Sequence, residues 1–150
     1  WRHHGYELTF MDLIQKPELM EDMFSSLADL VCAVLKKANK YNITPDALYL
    51  MEHLGTTNST LMSPEVYRKL IKPYHAEIFK QAKSYGMNCF MHSDGRIQPL
   101  MDDLIDIGLE VLNPIDTGSG MDLVELKKRY GKKLTLYSGI KASQMQNKER

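Results

Sequence analysis

Met87-Asn88-Cys89-Phe90-Met91-His92-Ser93-Asp94-Gly95 reads as a short apolar strand that ends abruptly in an imidazole and a carboxylate. A buried strand needs neither group for packing. Parallel-sheet enzymes place their chemistry at the carboxyl ends of strands, where such groups serve as ligand, acid or base. His92 and Asp94 are two positions apart, so an extended backbone points both to one side, unless Gly95 turns the chain before Asp94 is reached.

Working outward, similar units appear on both sides. Upstream, Ala47-Leu48-Tyr49-Leu50-Met51 is a compact strand candidate ending in Glu52-His53. Before it, Pro17 opens a helix expected to reach about Lys40, with Leu19, Met20, Met23, Phe24, Leu27, Leu30, Val31, Val34 and Leu35 on one broad face. Between the two strands, Ser63-Pro64-Glu65 supplies an N-cap, a first-turn proline and a first-turn acid. Val66, Leu70, Tyr74, Ile78 and Ala82 continue that helix, which Pro73 bends or divides and Gly86 ends. Downstream come a helix from Pro99 to Ile107, a strand Glu110 to Asn113, a helix Met121 to Tyr130 and a strand Lys133 to Tyr137. Four strands joined by three helices predict parallel crossover units. Periodicity alone leaves open whether they belong to an eightfold barrel or to an open doubly wound sheet. No strand leads into a Gly-x-Gly-x-x-Gly turn, which weighs against a dinucleotide fold.

The 150 residues suffice for one domain with a real core, and 43% apolar content excludes a disordered chain. Nineteen basic residues balance nineteen acidic ones, so no net field draws the chain to nucleic acid or anionic lipid. No apolar stretch approaches membrane-spanning length and no signal-type region opens the chain, making a cytoplasmic location the default expectation. Cys32 and Cys89 lack metal-motif spacing and are expected to be free, packed thiols. Neither end resembles a natural terminus, so residues 1–150 are expected to form a single partial domain, truncated at both ends.

Each strand end offers candidate chemistry. His92 can bind a divalent ion or shuttle a proton, and Asp94 can ligate, orient an imidazole or stabilise a cation. The plainer alternative has Asp94 capping the turn and His92 packing at its base. Of Glu52 and His53, strand alternation sends one toward a pocket and the other toward the helical layer, without saying which. Asn113, Asp116 and Ser138 are candidates for orienting or hydrogen-bonding a substrate. Hydrolase elbows, His-Glu-x-x-His helices and phosphate loops are missing from the sequence.

The succession Met62-Ser63-Pro64-Glu65-Val66-Tyr67, Ile71-Lys72-Pro73-Tyr74, His92-Ser93-Asp94-Gly95, Val111-Leu112-Asn113-Pro114-Ile115, Tyr130-Gly131 and Ser138-Gly139-Ile140 resembles the uroporphyrinogen decarboxylase superfamily. That resemblance implies a (β/α)8 barrel, of which this chain would be the C-terminal half with about four parallel strands. The superfamily holds both porphyrinogen decarboxylases and cobalamin-linked methyltransferases.

The methyltransferase branch implies a zinc site with a corrinoid methyl donor or corrinoid protein as partner. His92 matches its histidine, whereas Asp94 stands where that branch has a thiolate. Because Leu112-Asn113-Pro114-Ile115 looks methyltransferase-like, a corrinoid-linked methyltransferase is the leading expectation. In it, His92 and Asp94 bind zinc and Glu52 or His53 positions a small-molecule substrate. The alternative is uroporphyrinogen decarboxylation, which needs no cofactor and which the Asp94-Gly95 turn also resembles. A half-barrel on its own is expected to be inactive and to self-associate or to seek its missing half.

Overall fold

The computed structural model describes residues 4–137. Two helices come first, α1 (Tyr6–Gln15) and α2 (Pro17–Lys40), followed by β1 (Ala47–Glu52), α3 (Pro64–Leu70) and α4 (Lys72–Ser84). The chain then continues through β2 (Asn88–Ser93), α5 (Met101–Asp106), β3 (Val111–Asn113), α6 (Leu123–Tyr130) and β4 (Thr135–Leu136). Short 3₁₀ turns at Gln98–Leu100 and Thr117–Ser119 lie in the connections.

All four strands are parallel and lie in the order β1-β2-β3-β4. Sequential parallel neighbours joined by helical crossovers form a stretch of (β/α) barrel wall, unclosed among the described residues. The partial-barrel expectation therefore holds. The open doubly wound alternative would have reversed the strand order part-way.

Strand alternation divides the sheet into two unlike faces. Leu50, Met91, Leu112 and Leu136 stand side by side in register on the helix-covered face. Ile78, Phe79 and Ala82 are buried on α4, which packs against this sheet, and the Cys89 thiol donates to the Phe79 carbonyl at 3.7 Å. The opposite face carries Tyr49, Phe90 and Val111 in one row and Met51, His92 and Asn113 in the next. It is left open: Tyr49 is 46% exposed, Met51 70% and Tyr137 61%. In a closed barrel this face lines the interior.

Several expectations are refined. Pro73 divides the 64–82 helix rather than bending it, because a proline in the first turn of α4 needs no amide partner. Ser63 caps α3, its Oγ accepting from Val66 N at 3.3 Å. The broad apolar face of α2 separates into two. Met20, Ala28 and Leu35 are buried, whereas Leu19, Leu27, Leu30 and Val34 are exposed, because α2 packs against α1, α3 and α4 and these leave the outer stripe uncovered. Helix α1 was not foreseen. His4 and Lys16 pair there with buried Asp12 at 2.8 and 3.3 Å.

Candidate functional site

Strand pairing puts Met51, His92 and Asn113 at one level of the open face. The geometry around His92 is specific. Its Nδ1 is 3.2 Å from Asn113 Oδ1 and its Nε2 is 3.2 Å from Asp94 Oδ2. The Tyr49 hydroxyl donates to the same Asn113 oxygen at 3.0 Å, and its ring meets the imidazole edge-on. Asn113 Nδ2 in turn donates to the Tyr137 carbonyl at 3.5 Å, which fixes the way the amide points. Both ring nitrogens of His92 thus face oxygen acceptors, an arrangement fully satisfied when both carry protons.

Asp94 reaches a second imidazole. His53 Nδ1 lies 3.8 Å from Asp94 Oδ2, so one carboxylate stands between two histidines from adjacent strand ends. Both His53 and Asp94 are about half exposed, and His92 is more enclosed. The alternation left open at Glu52-His53 is thereby resolved: His53 turns to Asp94, and Glu52 turns to the helical layer, 3.5 Å from His75 of α4.

Two glycine contacts hold the loops that carry these groups. A Cβ on Gly95, whose φ is +81°, would stand 2.6 Å from the Gly55 carbonyl carbon and the Thr56 oxygen. A Cβ on Gly55 would meet Asp94 O and Arg96 N at 2.9 Å. The Arg96 amide closes this junction by donating to Thr56 O at 2.7 Å, and Ser93 Oγ accepts from Leu54 N at 3.0 Å. The β1 and β2 rims are therefore locked together backbone to backbone.

Asp116 braces the same turn from the β3 side. It accepts from the Ser119 hydroxyl at 2.5 Å and from the amides of Gly118 and Ser119 at 2.9 and 3.2 Å. The Ser119 hydroxyl bond, with amide bonds from Gly118, Ser119 and Gly95, holds its carboxyl below the usual carboxylate range against the opposing effect of burial. Its oxygens are thus directed to the loop backbone. Ser138, the remaining candidate, lies outside the described residues.

Sequence reasoning missed His75 and gave Tyr67 only a packing role. Tyr67 and His75 are both buried, and Tyr67 Oη is 3.2 Å from His75 Nδ1. Their eight-residue separation spans the α3–α4 break, which helical periodicity does not bridge. A metal centre was expected at His92 and Asp94. Those two side chains contact each other, and among the described residues no group of three or more His, Cys, Asp or Glu is placed to hold a metal ion. The described donor set does not fit zinc.

A parallel β/α wall whose polar side chains meet at the carboxyl ends of its strands defines a barrel-type protein with a strand-end site. Within that class, the model of the family described as Uroporphyrinogen decarboxylase (URO-D) matches residues 2–143, and the chain belongs to this family. No curated protein and no solved structure matches the chain. The family match overturns the expectation of a corrinoid-linked methyltransferase and favours the decarboxylase alternative. Leu112-Asn113-Pro114-Ile115 had pointed the other way, yet Asn113 serves as a cross-strand hydrogen-bonding residue, a role not tied to methyl transfer. Among the described residues no helix is long and apolar enough to cross a membrane.

Proposed function

We propose that the chain supplies one half, the C-terminal one, of a barrel that removes carboxylate groups from a porphyrinogen, as in the uroporphyrinogen decarboxylase reaction. Residues 1–150 act as one partial domain, and the complete site requires the remaining strands. The observation that carries this reading is the meeting of His53, Asp94, His92 and Asn113 at the rim of a chain in that family.

The chemistry asks little of a cofactor. When the pyrrole ring is protonated, it accepts the electron pair left as the carbon–carboxylate bond breaks and carbon dioxide departs. A proton then adds to the methylene carbon, and the proton first placed on the ring leaves, so that the neutral pyrrole is restored with one proton consumed for each carbon dioxide lost. His92, hydrogen-bonded through both ring nitrogens, is suited to meet a substrate carboxylate or to hand over a proton, and His53 offers a second imidazole. Asp94 orients the two rings, Asn113 fixes the plane of His92, and Asp116 steadies the turn that carries Asp94.

The test uses the full-length protein with uroporphyrinogen in the presence of a chelator. Mass spectrometry should show products that have lost carboxyl groups one after another. An intact, folded protein that leaves the substrate unchanged would rule the reading out.

A further inference from the structure

The helix-facing side of β1 and β2 is apolar through Leu48, Leu50, Cys89 and Met91 until Glu52 places a carboxylate on it. Glu52 Oε1 lies 3.5 Å from His75 Nε2, and His75 Nδ1 lies 3.2 Å from the Tyr67 hydroxyl. His75 is only 5% exposed and Tyr67 is fully enclosed. Burying an imidazole and a phenol here carries a desolvation cost that two apolar side chains would avoid. Packing alone does not account for them.

The direction of the chain follows from the three groups. Burial, aided by the charges of Asp103 and Glu52, raises the Tyr67 phenol well above the ordinary tyrosine range, so it keeps its proton. An O–H donated to Nδ1 leaves Nε2 as the protonated nitrogen, and Nε2 is the atom that faces Glu52. Glu52 is still 29% exposed and adjoins His53, so an untethered carboxylate would be free to swing along the rim.

We propose that Tyr67 and His75 are positioning residues that hold the Glu52 carboxylate on the helical side of the rim, so that Asp94 is not joined by a second carboxylate where His53, His92 and Asn113 meet an anionic substrate. This rests on the decarboxylase reading, in which the substrate carries many carboxylates. A released Glu52 would set a like charge beside His53 and oppose substrate binding.

The full-length protein is titrated with uroporphyrin, an octacarboxylate, while NMR of nitrogen-labelled histidine reads the His75 ring. In the wild type, Nε2 should be protonated and Nδ1 bare. His75→Leu should weaken uroporphyrin binding and raise KM by about three- to tenfold with kcat changed by less than about twofold, the scale of one like charge near a protein surface. His75→Gln, which retains an N–H donor, should stay close to wild type. Adding Glu52→Gln to His75→Leu should restore affinity, a recovery that a merely structural defect would not show. An Nδ1-protonated ring in the wild type, or a double variant as weak as His75→Leu, overturns the proposal. If His75→Leu does not fold, Tyr67→Phe takes its place, and an unchanged tautomer with unchanged affinity is then the contrary result. A wild type that neither binds nor decarboxylates the macrocycle removes the decarboxylase reading and with it the substrate-facing role. The tautomer measurement then decides separately whether His75 holds Glu52.

Discussion

His92 donates from Nδ1 to Oδ1 of Asn113 across 3.2 Å, between two residues that the β2–β3 register places side by side. The bond fixes the plane of the imidazole and leaves Nε2 toward Asp94. Asn113→Ala should therefore lower kcat/KM for porphyrinogen by about three- to tenfold, on the order of one hydrogen bond. Tyr49→Phe, which removes a second donor from the same oxygen, should have a smaller effect. Steady-state kinetics of the full-length variants checks this, and an Asn113→Ala variant as active as wild type would contradict it.

Gly95 should tolerate no side chain. Its positive φ and the contact at 2.6 Å with the Gly55 loop combine backbone strain with overlap against backbone atoms that cannot rotate away. Gly95→Ala is expected to destabilise by about 2 kcal/mol or more. Thermal melts of the two proteins should then differ by about 4 °C or more. An unchanged Tm would mean that the β1 and β2 rims are not interlocked as described.

Acid sensitivity should depend partly on Asp116. Its folded-state value is lowered by the Ser119 hydroxyl and the loop amides, so its contribution is present above the unfolded carboxylate value of about 4 and is lost as pH falls through the folded one. Asp116→Asn should be less stable than wild type near neutrality, and the gap should narrow under acid. Urea unfolding at neutral and at acidic pH measures both. A gap that widens on acidification has the wrong sign for this linkage.

The open face of the sheet bears on behaviour in solution. Tyr49, Met51 and Tyr137 are exposed on it, and among the described residues the sheet ends at unclosed edges, β1 and β4. The 150-residue chain, prepared alone, is expected to self-associate at micromolar concentration. Light scattering that finds a monodisperse, cooperatively unfolding monomer would count against an incomplete barrel wall.

Much of this arrangement was legible in the sequence because it is periodic. Strand and helix alternate with short connections, Ser63-Pro64-Glu65 marks a helix start, and Met87–Gly95 announces a strand tip with its polar groups. Register made the difference at the site. That Asn113 would stand beside His92, and which of Glu52 and His53 would face the helical layer, depends on strand pairing over tens of residues, which no local pattern encodes. His75 escaped notice for a related reason. On a helical face it reads as one more surface polar residue, and only the α3–α4 break brings it under Tyr67 and beside Glu52. The error over methyl transfer came from weighing four residues, Leu112 to Ile115, above a likeness that extends over residues 2–143.

The most direct test of the strand-tip site is the rate of carbon dioxide release from carboxyl-labelled uroporphyrinogen by the full-length protein, without added metal, for the wild type and for His92→Ala. Wild-type release that falls by about a hundredfold or more in the variant, as expected for loss of a positioned acid or base, is the result this account requires. Equal release from the two folded proteins would place the chemistry elsewhere.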